Sequence, residues 1–140
     1  MAALYSDVIL ERFRHPRYRG KLVAADGAHE DVNPLCGDRI RMELKLDGAA
    51  VREIDAVRYR GDACAIALAS ADLLAEMAEG RPVREAEGID RDTLVAALQA
   101  NIRASRLRCV TLPLDVFRTA LAEAKRVARA ATPPSGGTPR

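Results

Sequence analysis

Apolar positions recur with a period of two in the middle of the chain, and with a helical period at its start and through its second half. From Arg39 to Leu46 the alternation has no fault, with Ile40, Met42, Leu44 and Leu46 on one side and Arg39, Arg41, Glu43 and Lys45 on the other. That pattern predicts a strand with one buried face, and makes the Arg39 and Arg41 side the solvated one. Asp47-Gly48 supplies residue types that accept positive φ in a tight turn, so Val51 to Arg60 reads as the returning strand of a hairpin. Its apolar phase slips between Ala56 and Val57, as a β-bulge makes it do. A third strand with a weaker pattern is expected within Leu22 to Val32.

Leu4, Val8, Ile9, Leu10 and Phe13 fall on one face of a first helix, which Pro16 stops because the residue before a proline disfavours the α conformation. Ala65 to Glu79 carries Ile66, Ser70, Leu73, Leu74 and Met77 at helical spacing, with Asp62 as the expected N-cap and Gly80 at the position following the helix. Asp90 to Leu98 is a shorter helix. Val110 to Ala131 is a long one, its buried stripe built from Val110, Leu114, Phe117, Leu121 and Ala124, with Pro113 tolerated in the first turn. Strands followed by helices predict an α+β domain: an antiparallel three-stranded sheet covered on one face by helices. Residues 1–131 are expected to be a single domain. Thr132 to Arg140, with three Pro and two Gly and no apolar pattern, are expected to be a disordered tail.

Composition narrows the function classes. A chain of 140 residues with 49% hydrophobic and 30% charged residues has the make-up of a globular domain, and without Trp its core is aliphatic. Twenty-two Lys and Arg against twenty Asp and Glu give +2, far from the concentrated positive field of a nucleic-acid binder. Asp7, Glu11 and Arg12 interrupt the opening segment, no stretch is long and apolar enough for a membrane span, and the expected location is the cytoplasm. The three cysteines are far apart and match neither a secreted disulfide framework nor a C-x-x-C zinc module, so they are expected to be reduced thiols.

Each thiol falls at an element boundary. Cys36 lies in Asn33-Pro34-Leu35-Cys36-Gly37-Asp38, a loop ahead of the strongest strand. Cys64 follows the expected cap of one helix, and Cys109 precedes the long one, where unpaired N–H groups and the helix dipole favour a thiolate. A lone cysteine is usually a small buried hydrophobe. Three at boundaries, with Asp38 two residues beyond Cys36, point instead to a four-donor shell for a soft or borderline metal, the carboxylate making it exchangeable. His15 and His29 are lesser candidates, as are Arg106 and Arg108 for lowering the Cys109 pKa.

These residues resemble the IscU, SufU and NifU N-terminal scaffold family. Asn33 to Asp38 is similar to its N-P-x-C-G-D motif, Leu4-Tyr5 through His15-Pro16-Arg17 to Gly20 to its first helix and loop, Gly61-Asp62-Ala63-Cys64-Ala65-Ile66 through Ala69-Ser70 to its second cysteine motif, and Ser105 to Cys109 to its third. The resemblance implies a scaffold that receives persulfide sulfur from a cysteine desulfurase, combines it with iron as a transient 2Fe-2S cluster, and hands the cluster to acceptor proteins, with zinc in the site as purified. It assigns metal and cluster binding to Cys36, Asp38, Cys64 and Cys109, sulfur acceptance to Cys36 or Cys109, and control of cluster lability to Asp38. Arg108 stands where the IscU branch has His, and the Leu-Pro-Pro-Val-Lys chaperone signal is missing, as in SufU. The interval from Cys64 to Cys109 lacks the SufU insertion, and Ala63 and Ala67 replace the family's Gly and Ser. The alternative is a zinc-dependent sulfurtransferase that takes persulfide from a SufS-type desulfurase without building a cluster. A purely structural zinc domain is disfavoured, because such sites draw on close cysteine pairs.

Overall fold

The computed structural model describes residues 5–47 and 53–131. Strands β1 (Gly27–Val32), β2 (Arg39–Leu46) and β3 (Ile54–Asp62) form an antiparallel sheet in that order, with helices packed on it: the expected α+β architecture. The unbroken alternation of β2 suits the central position, and Ile40, Met42, Leu44 and Leu46 are all buried. The opposite face is less wet than its charges suggest. Glu43 is buried there, accepting the Leu22 N–H at 2.8 Å and pairing with Arg41 at 2.9 Å and Arg60 at 3.0 Å. Burial pushes its carboxyl up, but these three donors outweigh burial and hold it below the usual carboxylate range.

Strand β3 begins at Ile54; Gly48 of the expected turn, and Val51 and Arg52, lie outside the described residues. The expected irregularity is present slightly earlier than read: Lys45 faces Ala56 and Leu46 faces Ile54, leaving Asp55 as the extra residue. The strand also runs on to Asp62, past the expected end at Arg60. Gly61 permits this, since a Cβ there would come within 2.1 Å of the Arg39 carbonyl oxygen. The strand can therefore deliver residues 62–64 beside the start of β2.

Helix α1 (Asp7–Arg14) is capped by Ser6, whose hydroxyl accepts the Ile9 N–H at 3.2 Å, and it ends before His15 as Pro16 requires; Leu4 lies outside the described residues. Helix α2 (Ala65–Ala78) is buried on nearly every side and is the centre of the fold. Its N-cap is Cys64 rather than Asp62, which belongs to β3. Gly80 at φ +79° turns the chain after the helix. A short helix α3 (Val83–Glu87) was not expected, being too brief to display a period, and α4 (Arg91–Leu98) is capped by Asp90. After a 3-10 turn at Ala104–Arg106, helix α5 (Leu107–Ala131) starts ahead of the expected Val110. Pro113 therefore sits beyond the first turn, and its lack of an N–H leaves the Cys109 carbonyl without its helical partner. Helix α5 presses on the sheet so closely that a Cβ at Gly27 would come within 2.2 Å of the Ala120 carbonyl oxygen.

A buried carboxylate ties the first segments to α2. Asp72, 0% exposed, pairs through Oδ2 with Arg12 at 3.0 Å and accepts through Oδ1 the Arg17 and Tyr18 N–H groups, both at 2.9 Å. The Tyr59 hydroxyl also hydrogen-bonds to it, and burial followed by this neighbour raises the tyrosine pKa. One hydrophobic cluster joins Ile9, Leu44, Ile66, Leu74, Leu98 and Phe117. Residues 132–140, read as a disordered tail, lie outside the described residues. No described helix is long and apolar enough to cross a membrane.

Candidate metal centre

The loop between β1 and β2 is closed by one residue. Buried Asn33 accepts the Leu35 N–H on its side chain at 3.1 Å and the Cys36 and Gly37 N–H groups on its carbonyl at 3.3 and 2.7 Å, while its own N–H reaches the Asp38 carbonyl at 2.8 Å. Gly37 adopts φ +78°, a conformation that side chains resist, and so reverses the chain between Cys36 and Asp38. Cys36 is left exposed while Asp38 points inward, 7% exposed.

Asp38 meets the start of α2. The Cys64 N–H donates to Asp38 Oδ1 at 3.0 Å, and Cys64 Sγ, as the N-cap, accepts the Ala67 N–H at 3.5 Å. Asp38 Oδ2 is buried with no hydrogen-bond partner. Cys109, in the first turn of α5 and 4% exposed, completes the group: one oxygen of Asp38 and the sulfur atoms of Cys64 and Cys109 all lie within 4.8 Å of one another. Donors on one four-coordinate zinc stand about 3.5 Å apart, so a small contraction would suffice. A buried carboxylate oxygen without a hydrogen bond costs stability unless something else engages it, and two thiols beside it are the donor set for zinc or iron. The residues fit a metal.

Of the four candidate ligands, folding thus unites Asp38, Cys64 and Cys109 from distant parts of the chain. Cys36 stands outside this trio, exposed on the neighbouring loop, one glycine away from Asp38. His15, the C-cap of α1, and His29, opposite Met42 in the sheet, are not in the group.

The thiolate expected at Cys109 is corrected by burial. Loss of water, then the hydrogen bond and charge of Cys64 and the charge of Asp38, push the Cys109 thiol up to about 12, with Arg106 pulling the other way. The helix end does not prevail because Cys109 is packed beneath it. Arg106 and Arg108 separate clearly: Arg108 is exposed, whereas half-buried Arg106 faces Cys109 and Cys64. Tyr5, not anticipated, hydrogen-bonds to Arg106; its only signal was a place in the opening segment.

Comparisons with known proteins agree with this arrangement. The family model of the NifU-like N terminal domain matches residues 4–130. The iron-sulfur cluster assembly scaffold protein IscU 1 of Archaeoglobus fulgidus is 32% identical over 120 residues, covering 86% of this chain and 76% of that protein. The zinc-dependent sulfurtransferase SufU of Bacillus subtilis is 28% identical over 138 residues, covering 86% of this chain and 90% of that one. The crystal structure of a candidate SUF-system scaffold from Fervidobacterium islandicum superposes with a TM-score of 0.71 at 25% identity, covering 84% of this chain and 96% of the other. A match of this extent, joined to the same sheet and helices, places the chain in the NifU-like N-terminal domain family.

Proposed function

We propose that this chain is an iron-sulfur cluster assembly scaffold that accepts persulfide sulfur from a cysteine desulfurase, binds iron, and passes the nascent 2Fe-2S cluster to acceptor proteins in the cytoplasm. The observation that carries the reading is the convergence of Asp38, Cys64 and Cys109 with Cys36 exposed beside them. Asp38, Cys64 and Cys109 hold the metal, and Cys36 can close the shell through its loop. Exposure divides the two thiols proposed as sulfur acceptors: Cys36 meets an incoming donor, whereas Cys109 is covered. The Cys36 thiolate attacks the outer sulfur of the desulfurase persulfide, a new S–S bond forms on Cys36, and the donor cysteine leaves as a thiolate. Zinc, when bound, supplies a Lewis acid that holds its ligands as anions.

The exposure of Cys36 outside the trio also favours a second reading, in which the protein is a zinc-dependent sulfurtransferase, as its Bacillus subtilis relative is named. One experiment separates the two. Anaerobically purified protein is analysed for metals, then given iron, cysteine and a desulfurase while its absorption spectrum is followed. A cluster chromophore supports the scaffold. Retained zinc with faster alanine release and no chromophore supports the transferase, and neither response sinks both.

A further inference from the structure

Away from the metal centre, the outer face of α5 forms a groove of about 530 Å³ with the end of α3. Arg118, Lys125, Arg126 and Arg129 line it above buried Leu121, and Glu87 is the single carboxylate among its described lining residues. Lys125 pairs with Glu87, Arg126 with Glu123 at 3.6 Å, and Arg118 donates to the Ile89 carbonyl at 2.8 Å. Two of the four cations are thus paired with carboxylates and Arg118 is anchored on a carbonyl, so the groove keeps a net positive charge. From the geometry we propose that this groove docks an acidic, extended segment of a partner protein.

The spacing selects that occupant. From Arg118 to Arg129 the row runs about 16 Å at 1.5 Å per residue, so the cations cannot converge on one phosphate group. An extended chain rises about 3.3 Å per residue, so roughly five residues rich in Asp and Glu would span it. Nucleic acid needs a positive field that continues beyond the groove, whereas the adjoining depression sets Asp90, Asp92 and Asp115 against Arg91 and the shared Arg118. A membrane surface would ask for exposed apolar anchors, and among the described residues the exposed large hydrophobic ones, Tyr5, Phe13, Val23 and Leu35, lie on other elements. Arg118 stands about 13 Å along the helix from Cys109, so a docked segment leaves the metal centre uncovered. The inference is independent of what the metal centre does.

The test is fluorescence anisotropy of a labelled octaglutamate peptide with the full chain at low salt. Arg126→Glu with Arg129→Glu is expected to weaken binding about tenfold or more, and Glu87→Gln to tighten it about twofold to fivefold. Arg14→Glu with Lys21→Glu, both exposed and away from α5, is expected to leave binding within about twofold. Equal losses in both double variants would overturn the groove as the site. So would stronger competition from pyrophosphate or duplex DNA than from unlabelled peptide, or a wild-type dimer that the α5 reversals dissociate. Unchanged zinc content and circular dichroism in every variant separate these outcomes from failure of folding or of the metal centre.

Discussion

Two aspartates lie buried among the described residues, and they are finished differently. Asp72 has both oxygens engaged by its own chain, with Arg12 on one and two backbone N–H groups on the other. Asp38 receives one N–H on Oδ1 and nothing on Oδ2, with two thiols alongside. Burial alone therefore does not mark a functional carboxylate. A satisfied one ties segments together, and an unsatisfied one beside soft donors leaves an oxygen that a ligand could engage.

The sharpest break of this contrast is Asp72→Ala. It leaves two N–H groups and the Tyr59 hydroxyl without their acceptor and Arg12 with Glu76 alone, at 2.6 Å, so urea unfolding should show a loss of about 2–4 kcal/mol, while zinc bound per folded molecule stays the same. Cys64→Ser and Cys109→Ser should do the reverse, lowering zinc affinity at least roughly 100-fold in a chelator competition while moving the unfolding midpoint of metal-stripped protein little. Cys36→Ser should cost less affinity yet abolish sulfur acceptance, measured as persulfide on the chain. Equal affinity in all three serine variants would refute the trio.

Next in size is pH. Burial holds the Cys109 proton up to about 12, and metal must displace it. Zinc affinity should rise about tenfold per pH unit for that proton across the neutral range, and a flat profile would mean the thiol is not a ligand. The smallest effect belongs to Asp38→Ala in protein stripped of metal. It removes a carboxylate already half unpartnered, at the expense of one N–H, so stability should move by about 1 kcal/mol or less. A bound cluster should then live longer by its absorption decay. Loss of all binding would make Asp38 indispensable and end the lability argument.

The same contrast shows what the sequence could disclose. Alternation from Arg39 to Leu46 and the Ala-rich stretch from Ala65 announced the central strand and central helix, because each pattern is local. Asn33 to Asp38 announced a loop, since Pro34 fixes its own φ and Gly37 admits the positive φ of a chain reversal, whatever surrounds them. Asp72 looked like any helical aspartate, for its partners at residues 12, 17 and 18 come from another part of the chain. The start of α5 is not legible from Pro113, whose usual place is a first turn, because here the helix begins at Leu107 and simply forgoes one hydrogen bond at the proline. That the Cys109 thiol is covered, and Cys36 is not, depends on packing that no spacing reveals.

The forgone bond has a mechanical meaning. With no N–H at residue 113 to fasten the Cys109 carbonyl, the turn that carries the sulfur is only loosely stitched to the long rod behind it. Were the donors, now within 4.8 Å of one another, to draw together around an ion, this turn is where the helix backbone would resist the change least.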